Sequence, residues 1–240
     1  MSNEFFYTDP SAVSSSTLTI SGDDVWHIGK VLRKVPGEII WVTSGDDKAY
    51  RARIRSIGKE KVDCEILESA YRLNESDCDM TLCVGVLKNP ARMDWIFEKG
   101  TELGVRTFIP MKTERSIIHS VKLPRWQKIT LAAMKQSCRS FLPVVDQMKP
   151  FTEVIKQSHS TELKLIAHEE AGIENYYADV IARAGNVQQA IILIGPEGGF
   201  NHTELESAVK NGFQLISLGI RRLRTETAAI IAAAGFLGKR

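Results

Sequence analysis

Ala190-Ile191-Ile192-Leu193-Ile194-Gly195-Pro196-Glu197-Gly198-Gly199-Phe200 is the stretch that decides the fold. Its first five residues are uninterrupted apolar and mostly branched, the pattern of a strand buried on both faces. A glycine-rich loop follows. Asn201 then offers an N-cap with Glu204 three residues on, and the helix they start stops at Asn211-Gly212. Strand, glycine loop and helix in that order place a small-molecule site at the carboxyl end of a parallel sheet.

The loop is not the G-x-G-x-x-G dinucleotide fingerprint, and it lacks the G-K-[ST] of a nucleoside-triphosphate loop. Glu197 inside it would repel phosphate, so a cationic or neutral ligand fits better. A sulfonium methyl donor is such a ligand, and its adenosine can lie on bare glycine backbone. A glycine turn that holds no ligand is the other reading of the same residues. A second stretch, Leu218-Gly219-Ile220-Arg221-Arg222-Leu223-Arg224-Thr225-Glu226-Thr227-Ala228, ends a strand and supplies three arginines before a helix that Thr225 or Thr227 caps. Clustered arginines beside such a loop suit phosphate. The helix Ala228 to Leu237 is apolar on nearly every side and must be covered by the core or by a second subunit.

Outward from these motifs the chain reads as two parts. Residues 73–240 alternate buried strands (Met80–Leu87, Thr107–Pro110, Leu163–Ala167, Phe213–Leu218) with helices such as Asp94–Leu103, the pattern of a mostly parallel α/β sheet. Residues 1–72 carry short alternating strands at Ile39–Val42, Ala49–Ile54 and Lys61–Ile66 with turns between them, which suggests a small β-barrel. One helical segment, Asp23 to Arg33, has acids first and bases last, as the helix dipole favours, and Pro36-Gly37 stops it. His27, Lys30, Arg33 and Lys34 lie together on that segment, and Arg51, Arg53 and Arg55 alternate on one strand face. These are candidates for gripping nucleic acid; a solvated basic surface is the competing reading.

The 240 residues hold 43% apolar and 25% charged side chains, which excludes large-scale disorder. A net charge of +2 means that any nucleic-acid affinity comes from local clusters. Cys64, Cys78, Cys83 and Cys138 form no C-x-x-C pair and read as reduced, mostly buried thiols. The start, MSNEFFYTDP, lacks the basic-then-apolar order of a signal peptide, and no apolar run approaches membrane-spanning length. A cytoplasmic protein is expected.

Six motifs, in order along nearly the whole chain, carry a family resemblance: His27-x-x-x-Val31-Leu32-Arg33, Lys99-x-Thr101-Glu102-Leu103-Gly104-Val105, Glu114-Arg115-Ser116, Gln136-Ser137-x-Arg139, Ile194 to Phe200, and Leu218-Gly219 through Thr225-Glu226-Thr227-Ala228. With them the chain resembles the bacterial 16S ribosomal RNA uridine-N3 methyltransferases of the SPOUT, or trefoil-knot, class. Cys138 stands where that family has glycine, and Arg222 where it has an apolar residue. The resemblance implies a PUA-like amino-terminal barrel, a knotted α/β methyltransferase domain, a homodimer and no metal. It implies S-adenosylmethionine held by Ile194, Gly195, Pro196, Glu197, Gly198, Gly199, Leu218, Gly219, Leu223 and Thr227. RNA contact falls to His27, Lys30, Arg33, Arg51, Arg53, Arg221 and Arg222. Catalysis falls to Arg115, Arg139, Arg224 and Glu197: an arginine stays protonated, so it stabilises an anion rather than removing a proton. Glu197 or Glu226 is a base or orients an arginine. The expected substrate is 16S ribosomal RNA, in an assembled small subunit. A non-catalytic RNA-binding assembly protein, an enzyme acting on another structured RNA such as transfer RNA, and a dinucleotide-dependent enzyme are the alternatives.

Overall fold

A computed structural model of the chain describes residues 5–117 and 122–238, so the ends of the two expected domains, 1–4 and 239–240, lie outside the described part. The chain divides into two compact units, one reaching to Glu75 and taking in Leu131–Leu142, the other made of Ser76–Thr130 and the chain from Pro143 onward.

The first unit holds β1 (Phe5–Tyr7), β2 (Thr17–Ser21), α1 (Asp23–Trp26), β3 (Ile39–Thr43), β4 (Lys48–Ile57) and β5 (Lys61–Tyr71). The strands form one sheet in the order β1-β3-β4-β5-β2, antiparallel except where β1 meets β3. Alternation explains its two faces: Ala52 and Ile54 of β4 are buried with Leu18, Ile20, Val42, Val62 and Cys64, while Arg51 and Arg53 point to the exposed side. The helical segment is shorter than the charge pattern suggests. α1 passes into one π-helical turn, His27–Val31, and Arg33 leaves it in the left-handed region at φ +52°.

The second unit is a parallel sheet. Its elements are β6 (Asp79–Gly85), α2 (Pro90–Leu103), β7 (Thr107–Lys112), α3 (Leu123–Gln136, whose end belongs to the first unit), β8 (Val144–Val145), β9 (Lys149–Pro150), α4 (Phe151–Gln157), β10 (Leu163–Ala167), α5 (Tyr177–Ala184), β11 (Gln189–Ile194), α6 (His202–Lys210), β12 (Gln214–Ile216) and α7 (Thr225–Leu237). The order is β12-β10-β11-β6-β7-β8, with β9 also on β7, and every pairing is parallel. β11 feeds two cores: Ala190, Ile192 and Ile194 pack with Phe97, Ala229 and Phe236 on one face, Ile191 and Leu193 with Phe151, Val154 and Leu205 on the other. That two-sided burial is why its residues read as an unbroken apolar run. Burial pushes the Cys64 thiol up to about 12 and raises that of Cys83 further, so neither is a nucleophile near neutrality.

At the end of α3 the chain makes a Schellman turn. The Arg139 N–H donates to the Met134 carbonyl at 3.0 Å and the Cys138 N–H to that of Lys135 at 3.2 Å. Cys138 therefore occupies the left-handed position, φ +58°, which favours glycine, the residue that the resemblance leads one to expect there. A side chain there costs about 1 kcal/mol, partly offset by the entropy it removes from the unfolded chain. Cys138→Gly is expected to raise the melting temperature by about 1–2 °C in a calorimetric scan.

Candidate functional site: the cavity around the glycine loop

A cavity of about 1180 Å³ opens beyond the carboxyl ends of β10, β11 and β12. That exceeds a usual single-ligand pocket and leaves room for a cofactor and part of a second substrate. Its walls are the segment after β10 (Ala167–Glu169), the glycine loop after β11 (Gly195–Phe200) and the loop between β12 and α7 (Ser217–Arg224).

The glycine loop is held from three sides. Its turn closes with the Gly199 N–H donating to the Pro196 carbonyl at 2.9 Å, Gly199 at φ +67°. The Lys88 N–H donates to Glu197 Oε1 at 3.2 Å, Arg115 Nη1 donates to the Gly198 carbonyl at 2.7 Å, and Thr225 Oγ1 donates to the Gly195 carbonyl at 3.0 Å. Behind the loop, α6 begins with the expected capping box: Asn201 accepts from the Glu204 N–H at 2.7 Å and Glu204 accepts from the Asn201 N–H at 2.9 Å. Glu204 also accepts from the Glu114 N–H at 2.9 Å, which fixes the segment carrying Arg115.

Of the expected ligand-binding residues, Ile194 through Gly199, Leu218, Gly219 and Leu223 all line the cavity; Thr227 does not. Thr225, two residues earlier, lines it instead. Neither threonine caps α7, whose N-cap is Arg224 without a side-chain bond, because the Thr225 hydroxyl is turned back onto Gly195. Arg115, Arg224, Glu197, Arg221 and Arg222 line the cavity too, and Arg222 reaches Glu169 at only 3.9 Å with both side chains exposed. Arg92, which no local pattern singles out, lines it as well.

Arg139 is elsewhere. Its side chain is 2% exposed and makes a 2.6 Å ion pair with Glu75, itself fully buried. Glu75 also accepts from the Ser140 and Phe141 N–H groups, both at 3.0 Å. The guanidinium expected to act in catalysis is thus a tie within the first unit and is not among the residues that line the cavity. On that unit's surface Arg51 faces Glu68 and Arg53 and Arg55 face Glu65, at 3.2–3.5 Å, so carboxylates offset much of the expected basic strip. Lys30 and Arg33 are exposed, while His27 is half-buried with its ring 6.3 Å from that of Phe6.

Residues 74–236, more than half of the chain, match the model of the RNA methyltransferase domain family, and residues 20–67 match that of the RNA methyltransferase PUA domain. A full-length relative in Bacillus subtilis, the ribosomal RNA small subunit methyltransferase E, is 30% identical over 90% of this chain and 88% of its own. The chain belongs to the ribosomal RNA small subunit methyltransferase E family. Solved methyltransferases of the same shape agree. Methyltransferase E of Neisseria gonorrhoeae, bound to S-adenosylmethionine, superimposes with a TM-score of 0.84 at 33% identity, over 98% of this chain and 97% of that one. A Legionella pneumophila methyltransferase with bound S-adenosylmethionine gives 0.84 at 28% identity, over 99% and 98%. The architecture is that of the knotted α/β methyltransferases with an amino-terminal PUA-like sheet, as the motifs implied.

Proposed function

We propose that this methyltransferase E family member transfers a methyl group from S-adenosylmethionine to N3 of one uridine in 16S ribosomal RNA. The observation that carries the reading is the clamped glycine loop, which presents mostly bare backbone at the mouth of three parallel strands. The cavity's residues fit this cofactor. Gly199 and Gly219 present open space where a Cβ would stand, Ile194, Leu218 and Leu223 supply apolar walls, and Glu169, Asp179 and Glu197 offer carboxylates to a cation. When bound, S-adenosylmethionine supplies an electrophilic methyl on a sulfonium.

The chain's own residues hold and align. Arg115 keeps the loop closed over its Gly198 carbonyl, and Arg224 with Arg221 and Arg222 brings positive charge to the entrance for RNA phosphate. Much of the rate comes from alignment of the uracil nitrogen with the methyl. Residues 1–72 serve as the RNA grip and 73–240 as the catalytic part. Exposed Trp95 on α2 and Ile231 on α7 support a homodimer built on those helices. Among the described residues no helix is long and apolar enough to cross a membrane; the enzyme works in the cytoplasm. With a net charge of only +2, an assembled small subunit is a better substrate than naked RNA.

Calorimetric titration with S-adenosylmethionine, in parallel with NADH, tests the cofactor. Binding of the methyl donor alone in the micromolar range, on the order of −8 kcal/mol, is expected. Nucleoside mass spectrometry of treated subunits then reads the product; methylation anywhere but uridine N3 overturns the assignment. Thr225→Val keeps the side-chain shape and leaves the Gly195 carbonyl without its donor. It is expected to weaken cofactor affinity about fivefold, the worth of one hydrogen bond.

A further inference from the structure

Arg92 differs from the other arginines of the cavity. Arg115 is bound to the Gly198 carbonyl, and Arg221, Arg222 and Arg224 stand exposed on the loop before α7. Arg92 sits in the first turn of α2, half-buried, with Nε 3.4 Å from Glu226 Oε1. Glu226 belongs to the first turn of α7, its side chain only 13% exposed, and its Oε2 is buried with no hydrogen-bond partner among the described residues. Nη1 and Nη2 of Arg92 have no partner among the described residues either. A carboxylate in a low-dielectric setting restrains the cation facing it more firmly than one in water. Glu226 therefore anchors the Nε side of the guanidinium by charge, without a hydrogen bond between them, and leaves the planar fork of Nη1 and Nη2 for a group arriving in the cavity.

We infer that Arg92 is a catalytic residue that binds the ionised imide of the target uracil, and that Glu226 is its positioning residue. This rests on the uridine-N3 reading above. N3 of uracil is a weak acid, and only after its proton has passed to water does its lone pair form the N–CH3 bond as the donor's S–CH3 bond breaks and leaves its electron pair on sulfur as a neutral thioether. The charge then spreads over N3, O2 and O4. A fork of two N–H donors meets one of those carbonyl oxygens, strengthens as charge develops there, and leaves the N3 lone pair free. Arg115 cannot do this without releasing the loop, and Glu197, exposed and bonded to the Lys88 N–H, does not back any of the other arginines.

The test is a binding measurement on the RNA that the wild type methylates, made with 6-azauridine at the modified position. The imide of that base ionises at a lower pH than uridine's. Fluorescence anisotropy across its titration, with donor-depleted enzyme, is expected to show wild-type affinity rising on the order of tenfold on ionisation. Arg92→Ala should show no rise, Arg92→Lys a partial one, and Glu226→Gln a reduced one. All three should keep wild-type S-adenosylmethionine affinity; Arg92→Lys, which keeps the counter-charge of Glu226, should also keep wild-type melting temperature, while Arg92→Ala, which removes it, should melt a few degrees lower. A rise in Arg92→Ala equal to that of the wild type, or a loss of cofactor affinity instead, overturns the inference alone. A wild-type product other than N3-methyluridine, read by mass spectrometry on the unmodified RNA, overturns the N3 reading and the inference with it.

Discussion

Gly85→Ala is expected to weaken S-adenosylmethionine binding by roughly tenfold to a hundredfold while the protein stays folded. Gly85 ends β6, and a Cβ on it would lie 2.4 Å from both Cδ and N of Pro196 and 3.0 Å from the Gly195 carbonyl carbon. These are ring and backbone atoms, which cannot swing aside as the end of a flexible side chain can. The strand cannot retreat, because β6 is paired on both sides, to β11 through Val84–Ile194 and to β7 through Gly85–Met111. The strain therefore falls on the glycine loop. Overpacking of this kind costs about 1–3 kcal/mol, and each 1.4 kcal/mol taken from the binding geometry is a factor of ten in affinity. Titration calorimetry of the purified variant reads the effect. Wild-type affinity would mean that the loop's position does not matter to the ligand.

The second large effect is on stability. Glu75→Ala should lower the melting temperature by roughly 6–20 °C, because it strands the Arg139 guanidinium, 2% exposed, without its counter-charge. Removing one partner of a buried pair costs about 3–5 kcal/mol, and here the Ser140 and Phe141 N–H groups lose their acceptor as well. The exposed Arg51–Glu68 pair is the control: Glu68→Ala should change stability by less than about 1 kcal/mol. Replacing both partners together, Glu75→Leu with Arg139→Met, should restore most of the loss. An Arg139→Ala protein with unaltered melting but slow methyl transfer would return Arg139 to the catalytic list.

What could be read from the chain alone follows from how local each signal is. The strand Ala190–Ile194 and the capping box of Asn201 and Glu204 are written in consecutive residues, and the structure has both. β1 and β2 escape notice because β1 is only three residues long and the alternating apolar positions of β2, Leu18 and Ile20, are just two, although Asp9-Pro10 and Ser21-Gly22 mark turns beside them. The diversion of the Thr225 hydroxyl to Gly195 crosses 30 positions, so capping preference alone points to the wrong use of that residue. The pairing of Arg139 is hidden for a related reason: its partner is 64 residues away, and an arginine in a motif looks the same whether it faces a substrate or a buried carboxylate. Arg92 is visible only once α2 and α7 bring it to Glu226. The second departure, Arg222, is tolerated because its side chain stays 80% exposed.

The first unit is discontinuous in the chain, and that orders its synthesis. Its strands have all been made by Tyr71, yet Leu131–Leu142, the segment that gives Glu75 its cation and pairs Phe141 with Asp46, is translated some sixty residues later. Until then the ribosome exposes a sheet whose closing piece does not exist, and the carboxylate of Glu75 waits in water. A fragment cut after residue 75 therefore lacks the cation of its buried carboxylate and the bridge partner of Asp46, and this half of the enzyme is complete only after the first strands and helices of the other half have emerged.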